Sequence, residues 1–97
     1  MKYWLEIDPS VNREAARIYR YREVDKKGTG ENFLNALNDC YDSILDNPLG
    51  CQLRKDPFRH ALLHRLKYRV VFKVDGSIVL VVQLRHTSRK VSKKFGP

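Results

Sequence analysis

Few residues in this chain can move a proton or act as a nucleophile: three histidines, His60, His64 and His86, and two cysteines, Cys40 and Cys51. Imidazole titrates near neutrality, so each histidine is a candidate acid or base. The two cysteines make neither a zinc quartet nor a disulfide framework, and in a reducing compartment they read as packing thiols. Neither a metal site nor a cofactor is expected. What the chain holds in quantity is positive charge, 19 Lys and Arg against 11 Asp and Glu. The excess is confined to one half: residues 1–51 carry seven cations and nine acids, residues 52–97 twelve and two. A surface so strongly basic on one part of a globule favours a polyanion or an acidic protein as partner.

These charges need elements to position them. At 97 residues, 42% of them hydrophobic and 31% charged, the chain is long enough for one small core and too short for a two-domain enzyme. It is read as a single domain, 1–97, with a basic C-terminal tail over 87–97. No stretch reaches the ~18–20 apolar residues of a membrane span, and Met1-Lys2-Tyr3-Trp4-Leu5-Glu6 lacks the apolar core of a signal peptide, so a cytoplasmic location and no membrane partner are expected.

Residues 2–7 are strand formers stopped by Asp8-Pro9. Asp8 or Ser10 can cap a first helix carrying Val11, Ala15, Ile18 and Tyr19 at helical spacing and ending by Gly28. Thr29 can cap a second, with Phe33, Leu34, Leu37, Cys40, Tyr41, Ile44 and Leu45 on one face, stopped by Asn47-Pro48 and Gly50. Trp4, Tyr19, Phe33 and Tyr41 are expected in the core. After a short connection, Cys51 to Pro57, the run Phe58 to Leu63 reads as a strand, and Tyr68–Val74 and Ser77–Leu84 form an antiparallel hairpin around Asp75-Gly76. The order is β-α-α-β-β-β, an α+β domain with a helical hairpin packed on a mostly antiparallel sheet.

A two-residue turn at Asp75-Gly76 puts Val74 opposite Ser77, Phe72 opposite Val79 and Arg69 opposite Val82. Register converts sequence into faces. Tyr68, Val70, Phe72, Val79 and Val81 then share one face, and Arg69, Val71, Lys73, Ile78, Leu80, Val82 and Leu84 the other. Continued, the alternation places His86 on the Arg69 side and Arg85 on the Tyr68 side. Burying the heads of Arg69 and Lys73 unpaired would cost several kcal/mol, so their face is the candidate cationic surface. Arg69 needs either a carboxylate such as Glu6 or Asp42, or a ligand. The plainer role for His86 is a strand-end residue bonded to nearby backbone. Arg13, Arg17 and Arg20 form a stripe on the first helix that Glu14 and Glu23 can neutralise.

The element order, the ending Leu45-Asp46-Asn47-Pro48-Leu49-Gly50, the run Arg59-His60-Ala61-Leu62-Leu63 before Tyr68-Arg69-Val70-Val71-Phe72, and the close Val82-Gln83-Leu84-Arg85-His86-Thr87-Ser88-Arg89 together resemble the RelE/ParE superfamily of bacterial toxins. The resemblance covers nearly the whole chain. It implies the toxin of a type II toxin–antitoxin module, neutralised by a cognate acidic antitoxin, in a homodimer or a toxin–antitoxin hetero-oligomer. RelE-like members act with the ribosome and cut mRNA, while ParE-like members inhibit DNA gyrase. Metal-free RNA cleavage needs a base, an acid and cations on the charged phosphorane, and in a RelE-like enzyme Arg69, His86 and Arg89, with His64, would be those groups. Several ribonuclease members carry a tyrosine near the end of the chain where this one has Phe95, which exchanges no proton, and the His-x-x-Arg close is similar to the ParE-like branch. On that branch Arg85, Arg89, Lys90, Lys93 and Lys94 would contact the target or phosphate. A third reading, a plain nucleic-acid-binding module, has charge in its favour but shows no recognition motif.

Overall fold

The computed structural model describes residues 2–88 and 94–96. Strand β1 (Trp4–Ile7) leads into helices α1 (Pro9–Asp25) and α2 (Thr29–Asp46), a short 3-10 turn (Pro48–Gly50), and strands β2 (Gln52–Lys55), β3 (Phe58–Leu62), β4 (Tyr68–Asp75) and β5 (Ile78–His86). The sheet runs β1-β5-β4-β3-β2, with β1 parallel to β5 and every other pair antiparallel. It is an α+β fold with the helical hairpin on one face of a mostly antiparallel sheet.

Asp8 caps α1: its Oδ1 accepts from the Ser10 amide at 2.9 Å and the Ser10 hydroxyl at 2.6 Å, with Pro9 inside the first turn. Helical spacing then carries Val11, Ala15 and Ile18 into the core against Phe33, Leu37, Tyr41 and Ile44 of α2. Thr29 is not the cap of α2 but its first residue, and its hydroxyl donates to the Arg22 and Lys26 carbonyls instead. The Glu23 carboxylate takes over that task across the hairpin, accepting from the amides of Gly28, Gly30 and Glu31. An anion at a helix N-terminus offsets the orphan donors and the positive end of the dipole.

Two expectations need correction. The connection expected over Cys51 to Pro57 contains a strand, β2, which pairs antiparallel with β3. It is short, polar and at the sheet edge, so no alternation of apolar residues announces it. Trp4, expected in the core, is 62% exposed, and Tyr19, also expected there, is half-buried and stands outside the core cluster. Tyr3, Leu5 and Ile7 lean on the core instead, and the alternation of β1 turns Trp4 and Glu6 away.

The hairpin register also differs, in two steps. Asp75 pairs with Ile78, so the turn residues are Gly76 and Ser77, with Gly76 at φ 59 in the position that a Gly-X turn reserves for glycine. Val74 therefore opposes Val79 and Phe72 opposes Val81, a slip of two residues that leaves the faces unchanged. Beyond Phe72 and Val81 the ladder shifts by one at a bulge: Val71 pairs with Gln83, Val70 with Leu84, Arg69 with Arg85 and Tyr68 with His86. One extra residue, Val82, reverses the facing of everything after it. Leu84 joins the helix-side core, Arg85 crosses to the side of Arg69, and His86 crosses away from it to the side of Tyr68.

Candidate functional site

The face away from the helices gathers the basic strands. Alternation along β3, β4 and β5 places Phe58, His60, Arg69, Val71, Lys73, Gln83 and Arg85 there. Acids sit mainly in the other layer, where α2 carries Glu31, Asp39, Asp42 and Asp46 and no Lys or Arg. The molecule is therefore electrically two-sided.

At the middle of the basic face lies a cluster that the sequence reading did not assemble. The His60 ring joins Arg69 Nη1 to its Nδ1 at 3.2 Å and the Phe95 carbonyl to its Nε2 at 2.8 Å. Arg85 Nη2 donates to the Gly96 carbonyl at 3.4 Å. Arg85 and His60 are only 4% and 7% exposed. Burial pushes the imidazole below its ordinary pKa, the bond to the Phe95 carbonyl opposes that, and Arg69, Arg85 and Arg54 add to the lowering. Burial likewise lowers Arg69, with Arg54 and Arg85 acting in the same direction.

Lys94, Phe95 and Gly96 form a strap across this face. The Phe95 ring meets Phe58 edge to face at 4.8 Å between centroids, and Gly96 lies against the backbone of Arg54 and Lys55. Beneath it Val71 is fully buried yet stands outside the helix-side core cluster. Part of the segment expected as a basic tail is thus a layer of the fold.

His86 occupies a different place. Its ring packs edge to face on Tyr68 at 5.2 Å, and its Nδ1 meets the Ser88 amide at 3.1 Å and the Ser88 hydroxyl at 2.6 Å. With Glu14, Arg17, Ile18, Tyr21 and Tyr68 it lines a groove of about 180 Å³ beside α1. His86 and Arg69, expected on one face, lie on opposite faces of the sheet. His64 is exposed in the β3–β4 connection.

Lys94 is exposed beside a larger cleft of about 540 Å³, opened where β1 ends and β5 continues, with Asp8, Glu14, Lys73, Gln83 and Phe95 on its walls. Lys94 also lies over the Phe95 ring, 5.3 Å from its centroid. Arg89, Lys90 and Lys93 fall outside the described residues.

The structure therefore unites Arg69 and Arg85, separates His86 from them, and adds Arg54, His60 and the strap. A correct β3–β4 register would have placed His60 beside Val71, two residues from Arg69's row and on the same face. No sequence signal pointed to the backbone carbonyls of Phe95 and Gly96. Chemically the cluster offers guanidinium donors and one neutral imidazole. Among the described residues, no group of three or more His, Cys, Asp or Glu could hold a metal ion, and no helix is long and apolar enough to cross a membrane.

A family model described as the ParE toxin of the type II toxin–antitoxin system, parDE, matches residues 5–91. Among solved structures the chain is similar to one titled as the chromosomal ParDE TA system from P. aeruginosa, with a TM-score of 0.70 and 16% identity over 90% of this chain and 98% of that one. At that identity the likeness is one of fold. None of the curated proteins matches.

Proposed function

The chain belongs to the ParE family, the toxins of type II toxin–antitoxin systems, and from that premise we propose that it arrests growth by inhibiting DNA gyrase and is neutralised by a cognate acidic antitoxin. The observation that carries this reading over a RelE-like ribonuclease is the facing of β5. Acid–base cleavage of RNA would need an imidazole and phosphate-holding cations around one scissile bond, within hydrogen-bond reach of it. Arg69 and His86, the pair such chemistry would use, are on opposite sides of the sheet. The histidine that does touch Arg69 is His60, buried with both ring nitrogens engaged. At position 95 the chain contributes a carbonyl and an apolar ring packed on Phe58.

A binding inhibitor needs surface rather than a reaction centre, and two surfaces suit it. The basic face favours an anionic partner and speeds its encounter. The exposed Tyr21 and Val24 of α1, next to the His86 groove, offer apolar anchorage for the antitoxin or the target.

Brief expression in cells, followed by inspection of both nucleic acids, tests the reading. Chromosomal damage, with purified gyrase losing its supercoiling activity in the presence of the protein, is the expected result. Cleaved translated messages with intact DNA would overturn it. His86→Gln separates the two chemically: growth arrest is expected to persist, whereas a nuclease using that ring as acid or base would lose about 10²–10⁴ in rate.

A further inference from the structure

We propose that the cationic end of the sheet's outer face binds the phosphate backbone of duplex DNA without regard to sequence, so that the protein engages gyrase where gyrase holds its DNA. The choice of target rests on the gyrase reading above, and the surface rests on where the charges lie. Alternation turns Arg69 and Lys73 of β4 and Arg85 of β5 outward, and Arg54 of β2 stands near enough to act electrostatically on both Arg69 and His60. The β3–β4 connection, at the end of the sheet where Arg69 pairs with Arg85, adds Arg65 and Lys67, both exposed. Acids are kept away. Residues 57–74 contain no Asp or Glu. Asp56 and Asp75 lie beside the β2–β3 and β4–β5 turns at the opposite end, and Glu6 is on the far edge strand.

Arg69 and Arg85 are further engaged within the chain, which leaves Arg54, Arg65, Lys67 and Lys73 to meet a ligand. The Arg54 side chain is half-buried, and its Nε makes no hydrogen bond. Four residues along β4 cover ~13 Å, a length over which each strand of duplex DNA presents about four phosphates. An acidic protein spaces its carboxylates among other side chains, so a stretch of cations uninterrupted by acids suits the denser polyanion.

The rest of the molecule orients the contact. Helix α2 carries Glu31, Asp39, Asp42 and Asp46 and no Lys or Arg, so a polyanion repels that layer. Helix α1 does carry arginines, but Glu14 holds Arg17 through two bonds of 2.9 and 2.7 Å, Arg22 donates to the Thr29 carbonyl, and Glu23 and Asp25 follow. The sheet face therefore carries the excess charge, and DNA approaches it with the helices turned outward.

The test is fluorescence anisotropy of the full chain with two duplexes of about 20 bp and unrelated sequence, at several salt concentrations. Equal affinity for both is expected, falling about 10²-fold between about 50 and 200 mM salt, the slope for about four phosphates. Lys73→Ala should lower that slope by about one, and Arg65→Ala with Lys67→Ala by about two. Arg13→Ala with Arg20→Ala, on the exposed side of α1, should leave it unchanged. Binding that is absent at low salt, insensitive to salt, or weakened as much by the α1 pair would overturn the proposal. So would displacement of the DNA by polyglutamate at equal charge, which would assign the face to an acidic protein. No gyrase is present, so the two readings fail separately. A chain that stops supercoiling without binding DNA refutes this surface alone, whereas one that binds DNA through these residues and spares gyrase keeps the surface and refutes the target.

Discussion

Among the described residues the sheet is covered twice, on one side by two helices and on the other by Lys94, Phe95 and Gly96, and the two covers close very different chemistry. Under the helices lie Val70, Phe72, Val79, Val81 and Leu84, packed on Phe33, Leu37 and Ile44. Nothing there needs a hydrogen-bond partner, so burial alone contributes, about 1.5–3 kcal/mol for each large side chain. Under the strap lie Val71, His60 and Arg85, all less than a tenth exposed. There each apolar contact must offset the cost of taking guanidinium and imidazole groups out of water. A strongly apolar face can hold a fold together, whereas a cationic one depends on a few specific bonds.

Neighbouring residues of β4 measure that contrast most sharply, since Val71 and Phe72 are both fully buried and point to opposite covers. Phe72→Ala should cost about 3–5 kcal/mol in denaturant unfolding, enough to threaten a domain of this size. Val71→Ala should cost about 2 kcal/mol, the transfer of two methyl groups plus a small cavity. Equal losses at the two positions would mean that the strap face is a second core of the same rank. Phe95→Ala, which deletes the edge contact with Phe58 and part of the cover, should cost about 1 kcal/mol in the same measurement. The smallest effect belongs to neither cover. Arg17 and Glu14 form an ion pair at 2.7 Å on the outside of α1, with the Arg17 side chain 58% exposed. Water and salt screen it, so Arg17→Ala should change stability by less than about 0.5 kcal/mol.

What the sequence disclosed follows the same division. The helical hairpin and the β4–β5 pair were legible because helix-spaced apolar residues and a glycine-bearing turn are local signals. Phe33 and Tyr41 were placed in the core correctly for that reason. Strand β2 was not legible: Gln52, Leu53, Arg54 and Lys55 have no buried face of their own, and only pairing with β3 makes them a strand. The cationic face was foreseen from Arg69 and Lys73, but its membership was not, because the bulge leaves no mark in the residue types of Val81, Val82 and Gln83. Arg85 and His86 were both singled out, and each was assigned to the other's side. His60 was passed over as ordinary, since its importance depends on a carbonyl 35 positions further along the chain.

The bulge at Val82 has an evolutionary corollary. A sibling chain shortened by that single codon would pair without a bulge and still keep Arg85 beside Arg69 and His86 beside Tyr68, because the bulge already takes Val82 out of the ladder. The groups that meet on this scaffold are thus set by the pairing and not by counting along the strand, and homologues aligned without a gap at this residue would have their functional columns offset by one.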